Sequence, residues 1–468
     1  MGQDYRNQLA AYTQVKGFRQ IYKHAVQKAQ PRSRLYMASM AQIIDINMNL
    51  EYRVKDIGLA QEGKKRIDWA EAHMPVLVAL RKRYEDAKPL SGIRIAGCLH
   101  VTKETGVLVR TLKAIGAEIS WCGCNPLSTQ DDVAASLAND EAINVYASRG
   151  VSTQEYYDDI HLSMKIDPNI TIDDGADLTL EMHRRAINNQ NSTVYGGTEE
   201  TTTGVIRLRA MQKSSKLMYP IIAVNDAETK HDFDNVYGTG QSALDGIIRA
   251  TNVLLAGKNV VVAGYGHVGK GIAKRASGMG ANVIVTEVAP IAALKAKLDG
   301  FAVAPMIIAA DRGDLFITTT GCKDVINKED ISRMKDGSIL ANAGHFNAEI
   351  SIPDIEKQTL EKKKINEHVI QYKLNNFRKI YLIGEGRLVN LVAAEGHPSE
   401  VMDMSFANQF LSILKLSQSR GTLKPIVYSI DKSQDQEIAM AKLKTMNIEI
   451  DMLTDDQESY LEGFSEGT

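Results

Sequence analysis

Between Lys258 and Glu287 the sequence reads KNVVVAGYGHVGKGIAKRASGMGANVIVTE, with glycines at 264, 266 and 269. An apolar run, Asn259 to Ala263, precedes them; a helical pattern follows, and a second apolar run leads to Glu287. In this order of strand, turn, helix and strand, a dinucleotide pyrophosphate lies against a helix N-terminus. Gly264 makes the tight turn, Gly266 lets the phosphates approach the backbone, and Gly269 lets the helix pack on the strand. A carboxylate at Glu287 accepts from a ribose 2′-hydroxyl and repels a 2′-phosphate, so the motif favours NAD over NADP.

More reactive groups lie just upstream. The stretch NDAETKHDFDNVYGTG brings Lys230, Asp234 and Asn235 close together, before a helix expected over Ser242–Leu255. A lysine and an aspartate four apart are usually a solvated pair, but their position at a domain junction points to function. In YGGTEETTTG, Tyr195 to Gly204, adjacent acids and three threonines follow a glycine pair. That composition makes a poor helix interior and a good ligand-lining turn.

These groups need a scaffold, and 468 residues are too many for one ordinary core. A helical pattern runs from about Asn49 to Tyr84. An α/β alternation follows: strand Ile93–Cys98, helix Gly106–Ile115, strand Glu118–Cys122, helix Asp132–Ala138, strand Ile170–Ile172, helix Leu178–Ile187 and strand Ile221–Val224. After the glycine-rich unit come strand Asp314–Thr320, helix Lys328–Met334 and strands Ser338–Asn342 and Lys379–Ile383. A helix over Ser405–Leu416 has an apolar face suited to packing back on the first domain, and Ser433–Thr468 reads as a helical, acidic, oligomer-facing tail. The fold class expected is α/β: two Rossmann-like, doubly wound parallel-sheet domains with a hinged cleft, plus a small C-terminal tail. Residues 1–48 form an N-terminal extension, 49–234 and 396–430 a substrate-binding domain, 235–395 an NAD-binding domain, and 431–468 the tail.

Lys plus Arg number 55 and Asp plus Glu 57, a net charge of −2, so neither nucleic acid nor an anionic membrane is expected as a partner. No apolar run reaches the roughly 18 residues of a membrane span. Cys98, Cys122, Cys124 and Cys322 are too scattered for a disulfide framework or a metal site and read as buried free thiols, which fits the cytoplasm. The first 34 residues carry Arg6, Lys16, Arg19, Lys23, Lys28, Arg32 and Arg34 against Asp4, so an organelle transit segment competes with an extra surface helix there.

From about Asp56 to Leu461 the chain resembles the S-adenosylhomocysteine hydrolase family. The resemblance rests on DIGLAQEGKKRIDWAE, KPLSGIRIAGCLHVTKET, STQD at Ser128–Asp131, DDGADLT, TEETTTGVIRL, TKHDFDNVYG, VVVAGYGHVGKG, TTTGC, NAGHFNAEI, and EGRLVNL followed by GHPSEVMDMSF. A shared Rossmann unit alone would account for one of these. The resemblance implies a homotetramer of the S-adenosylmethionine cycle in one-carbon metabolism, cleaving adenosylhomocysteine to adenosine and homocysteine with bound NAD and no metal. Transient oxidation of the ribose 3′-hydroxyl makes the C4′ proton acidic, homocysteine leaves from C5′, water adds, and the oxidation is reversed.

The resemblance also assigns roles. Lys230, with a lowered pKa, and Asp234 serve the 3′-hydroxyl; Asp174 and Glu200 hold the ribose and poise the lysine; Asn235 orients the nicotinamide or the lysine. His100 and His345 are the acid–base histidines. Thr102 and Glu104 face the purine, where a carboxylate can accept from the adenine amino group, and His397 gates the cleft and touches the purine. Thr201, Thr202 and Thr203 contact ribose and NAD, while His267, Val268 and Gly344 belong to the cofactor contacts. Thr319, Thr320, Asn342 and Asn390 line the nicotinamide side.

Several positions depart from the commonest pattern: Thr239 stands for cysteine, Glu395 for methionine and His267 for aspartate, and the tail lacks the Lys and Tyr of longer relatives. The chain thus resembles the shorter archaeal and Thermotoga-like branch, where inosyl substrates are an alternative. A simple NAD dehydrogenase of small alcohols and a non-catalytic hydrolase-like regulator are more distant alternatives.

Overall fold

The structure, a computed structural model, describes residues 51–141, 143–187 and 193–464; the extension over 1–48 and the end of the tail lie outside the described residues. The elements below belong to one unit, Arg53–Thr468. It contains two eight-stranded sheets.

In spatial order the first sheet consists of Arg53–Val54, Asn144–Ala147, Glu118–Cys122, Arg94–Cys98, Ile170–Asp173, Gly196–Glu199, Ile221–Ala223 and Val427–Ser429. All its pairings are parallel. The second runs Ala302–Val303, Asn282–Thr286, Asn259–Ala263, Leu315–Thr318, Ser338–Asn342, Lys379–Ile383, Val369–Leu374 and Thr359–Lys364. The pairings among its first six strands are parallel and the last two pairings, through Val369–Leu374, antiparallel.

Both sheets carry apolar cores on both faces, which is why their strands read as near-continuous hydrophobic runs. Along Asn259–Ala263, Val260 and Val262 enter one core and Val261 the other. In the first sheet Ile95, Trp121 and Ile172 face one core while Ala96, Cys98 and Cys122 face the opposite one.

In the parallel part of each sheet the strand order reverses between Arg94–Cys98 and Ile170–Asp173 in the first and between Asn259–Ala263 and Leu315–Thr318 in the second. Crevices open outside the carboxyl ends of strands at such reversals, and ligands bind there.

Several expectations need correction. The helical stretch up to Tyr84 is two helices, Ala60–Ala72 and Pro75–Tyr84, broken at the Met74–Pro75 step, where proline favours a first helical turn. Tyr195–Gly204 is not a loop: Gly196–Glu199 is a buried strand and Thr202–Lys213 a helix. A Cβ on Gly197 would lie 2.3 Å from Thr171 Oγ1, and one on Gly196 2.6 Å from Leu416 Cδ2, so close packing selects glycine against its strand propensity. The helix expected over Ser242–Leu255 spans Thr239–Thr251 and stops where Asn252 turns left-handed. Strand Asn144–Ala147, helix Thr153–Ser163 and the antiparallel pair Thr359–Lys364 and Val369–Leu374 carry no clear apolar alternation and are absent from the expectation.

Helix Ser399–Gln418 is longer than expected and buries residues around most of its circumference against the first sheet. Within the segment expected as a tail, helix Lys432–Thr445 also packs on this body, with Ile438 buried and Lys442 Nζ 2.8 Å from the fully buried Asp403. Cys98, Cys122 and Cys124 are buried free thiols, whereas Cys322 is exposed. No helix among the described residues is long and apolar enough to cross a membrane.

Candidate active site

A cavity of about 980 Å³ is lined by residues at the carboxyl ends of both sheets. It gathers His100, Thr102, Glu104, Asp174, Glu200, Thr201, Thr202, Thr203, Lys230, Asp234, Asn235, Gly264, Gly266, His267, Val268, Glu287, Thr319, Thr320, Gly344, His345 and His397.

His100 and Asp174 straddle the reversal of the first sheet, one beyond strand Arg94–Cys98 and the other beyond Ile170–Asp173. His100 Nδ1 is 2.7 Å from Ser128 Oγ and its Nε2 3.5 Å from Asp174 Oδ2. His345 Nδ1 lies 3.3 Å from the other Asp174 oxygen, so one carboxylate spans two imidazoles. Burial pulls the His100 pKa down to about 4 against the attraction of Asp174, which keeps this imidazole neutral near pH 7.

Lys230 ends the short turn Glu228–Lys230 and leads into a π-helix over His231–Gly238. In that wider turn the lysine reaches positions four and five ahead together: Asp234 at 3.0 Å and Asn235 Oδ1 at 2.8 Å. Glu200 stands 3.7 Å away on the far side. The chain of contacts continues from Asn235 Nδ2 to Asn225 Oδ1 at 3.2 Å, which also accepts from Thr202 Oγ1. In the other direction Asp234 meets His397 Nδ1, and His397 Nε2 is 3.0 Å from Thr239 Oγ1.

Burial alone would lower the Lys230 pKa, but Asp234 and Glu200 outweigh it and raise it above the ordinary lysine value. The lowered lysine pKa expected from sequence is therefore not found: two buried carboxylates hold the ammonium. Burial raises the Glu200 carboxyl to about 8, with Lys230 drawing it back. Burial would raise Asp234 too, but His397 and Lys230 hold it well below the usual carboxylate range. Glu200 Oε1 has no hydrogen-bond partner although it is buried, so an acceptor is held ready inside the cavity.

Near Glu104, Thr102 caps helix Lys103–Ala114, its side chain accepting from Thr105 N. Glu104 sits in that helix's first turn; Ser399 Oγ donates to its Oε1 at 2.7 Å, and Lys103 Nζ is 3.4 Å from the same oxygen. Lys103 also pairs with Glu395 at 2.9 Å, which gives the glutamate at this departing position an electrostatic partner.

The opposite wall fits NAD. Gly264 has φ +97°, and a Cβ on Gly269 would lie 2.0 Å from Gly264 O, so the turn closes on the helix only with glycine at both positions. A Cβ on Gly266 would meet open space, and helix His267–Gly278 has no side-chain cap, which leaves its first amides to an anion. Glu287 lines the cavity with its carboxylate fixed by Tyr265 N at 2.7 Å and Ala289 N at 2.9 Å.

Gly269, Asn342 and Asn390 do not line the cavity. Gly269 acts through packing. Asn342, expected at the nicotinamide side, is fully buried; it donates to the carbonyls of Gly344, Phe346 and Gly386 and accepts from Gly344 N, which fixes the loop bearing His345. Asn390 is likewise buried and donates to Ser242 Oγ.

The sequence reading assigned no role to several supporting residues. Gln409 Nε2 donates to Glu200 at 2.6 Å from 209 positions away, a pairing no local spacing reveals. Glu349 accepts from Thr320 N and Oγ1 and Gly321 N, bracing the TTTGC turn. Asp435 accepts from Glu228 N and Thr229 N and so caps the turn that carries Lys230.

The profile described as S-adenosyl-L-homocysteine hydrolase matches residues 51–194, and that of the family's NAD binding domain matches residues 235–396. The adenosylhomocysteinase of Saccharolobus solfataricus is 55% identical over 420 residues, covering 90% of this chain and 100% of the relative. The S-inosyl-L-homocysteine hydrolase of Methanocaldococcus jannaschii is 55% identical over 417 residues, covering 89% and 100% respectively. The adenosylhomocysteinase of Aquifex aeolicus is 54% identical over 419 residues, with 90% and 100% coverage. With the cavity, its glycine turn and its buried lysine in place, these matches settle the assignment: the chain belongs to the S-adenosyl-L-homocysteine hydrolase family.

Proposed function

We propose that the protein catalyses the reversible hydrolysis of S-adenosyl-L-homocysteine to adenosine and L-homocysteine. The observation that carries this reading is the buried Lys230, held between Asp234 and Glu200 in the same cavity as an NAD-type glycine turn. When bound, NAD⁺ supplies a reversible oxidation at the ribose C3′ carbon.

The chain's own residues then handle protons. Glu200, with its unpartnered oxygen, and Asp174 accept from ribose hydroxyls. Lys230 takes and returns the 3′-hydroxyl proton. Its ammonium can do so only after giving up a proton of its own, and Glu200, 3.7 Å away, can receive one only in its ionised form, so the relay strengthens as pH rises through about 8. A carbonyl at C3′ makes the C4′ hydrogen acidic, and the Lys230–Asp234 pair is the proposed group that serves that position. His100, neutral through burial, and His345, sharing Asp174, serve water and the homocysteine sulfur. Asn235 fixes the lysine, and Asn342 fixes the His345 loop.

For the purine, Ser399 and Lys103 both meet Glu104 Oε1, so Oε2 is the acceptor for an adenine amino group. The likeness to an inosyl enzyme favours a second reading, the same chemistry on inosine. Relative kcat/KM for adenosine and inosine, measured in the synthetic direction with homocysteine, separates the two. Adenosine is the preferred base, and Glu104→Gln moves the ratio toward inosine by about tenfold or more. A wild-type preference for inosine, or a ratio untouched by Glu104→Gln, defeats the adenosyl reading.

The assembly is a homotetramer of the cytoplasm. Exposed Met452, Tyr460, Leu461 and Phe464 near the C-terminus support burial against another copy, and three buried free thiols support a reducing compartment.

A further inference from the structure

Outside the catalytic cluster, His231 and Asp232 at the start of the π-helix meet His267, the first residue of the nucleotide-binding helix. Asp232 Oδ1 is 3.2 Å from His231 Nδ1 and 3.3 Å from His267 Nε2, and the three ligand atoms lie within 4.8 Å of one another. We propose that these side chains form a binding site for a transition-metal ion of the zinc class, which ties the glycine turn to the segment bearing the catalytic lysine.

The geometry suits such an ion. Four ligands arranged tetrahedrally at roughly 2.0–2.1 Å are spaced about 3.3–3.4 Å apart, and two of the three spacings here are already near that value. Two imidazoles and one carboxylate select Zn²⁺, Co²⁺ or Ni²⁺ over the all-oxygen preference of Mg²⁺ and Ca²⁺. The imidazole rings of His231 and His267 lie 4.4 Å apart and 34° from coplanar, so both reach the same carboxylate from adjoining elements. The side chains of Asp232 and His267 are about half exposed, so an ion enters from solvent without opening the protein. With three protein ligands, the fourth position is left for water, as in open zinc sites.

The test is a titration of chelator-treated, NAD-loaded protein with Co²⁺, read by the visible absorption of tetrahedral cobalt, with Mg²⁺ as the control ion. One equivalent of Co²⁺ gives that absorption and Zn²⁺ displaces it. His267→Ala and the conservative Asp232→Asn each remove it, while His345→Ala, in the separate His100–Asp174–His345 cluster, keeps it. Absorption that survives Asp232→Asn and His267→Ala, that disappears only with His345→Ala, or that never forms overturns the proposal.

Discussion

The two walls of the cavity recognise their ligands by opposite means. The wall built on the second sheet works through shape and backbone: a glycine turn with no room for a Cβ at Gly269, uncapped helix amides, and Glu287 held by backbone N–H groups. The wall built on the first sheet works through charge that is costly to bury. His100, Asp174, Glu200, Lys230 and Asp234 are packed together there, with burial opposing the charged form of each group whose pKa is displaced. The contrast suggests a division of labour, in which a passive wall retains a cofactor and a tensioned wall moves protons.

Lys230→Met attacks that contrast most strongly. Turnover should fall by about 10²–10⁴-fold, the range of a lost acid–base group, while bound nicotinamide measured after gel filtration stays at the wild-type level. Release of NAD together with the loss of activity would mean that the walls are not separable.

Glu200→Gln sharpens it with a smaller effect. The Glu200 pKa is raised to about 8, so the folded protein holds a proton that the unfolded chain releases in the ordinary carboxylate range. Its stabilising contribution is complete below that range and is lost as pH rises through about 8. Asp173, raised to about 7 chiefly by burial, acts in the same direction. The wild-type melting midpoint therefore drops between pH 6 and pH 8, and Glu200→Gln reduces the drop by roughly 2–4 °C while lowering activity. Equal slopes for the two proteins would show that Glu200 is not strained in the folded state.

The same contrast explains what could be read from sequence. The second wall was legible because its chemistry is local: glycines at 264, 266 and 269 and an acid at 287 act across one strand–turn–helix–strand unit. On the first wall, single motifs locate Lys230, Asp234 and His100, but the state of Lys230 is set by a balance no motif shows: Asp234 and Glu200 together outweigh burial only once the chain has folded around all three. Gly196–Glu199 reads as part of a turn because glycine has poor strand propensity, which packing against Leu416 and Thr171 overrides here. Gln409 and Asp435 act on the site from two distant helices, Ser399–Gln418 and Lys432–Thr445, and carry no local signature. The resemblance puts Asn342 at the nicotinamide side, whereas its hydrogen bonds serve the loop that carries His345.

The central claim is that Lys230 and its carboxylates serve a sugar oxidised only in passing. The most direct measurement is hydrogen exchange at C4′ of adenosine, followed by NMR in D₂O with the NAD-loaded protein. The account predicts deuterium at C4′ with the wild-type protein, little with Lys230→Met, and a nicotinamide pool whose oxidation state is unchanged at the end. Continued synthesis of adenosylhomocysteine with the original C4′ hydrogen fully retained would contradict it.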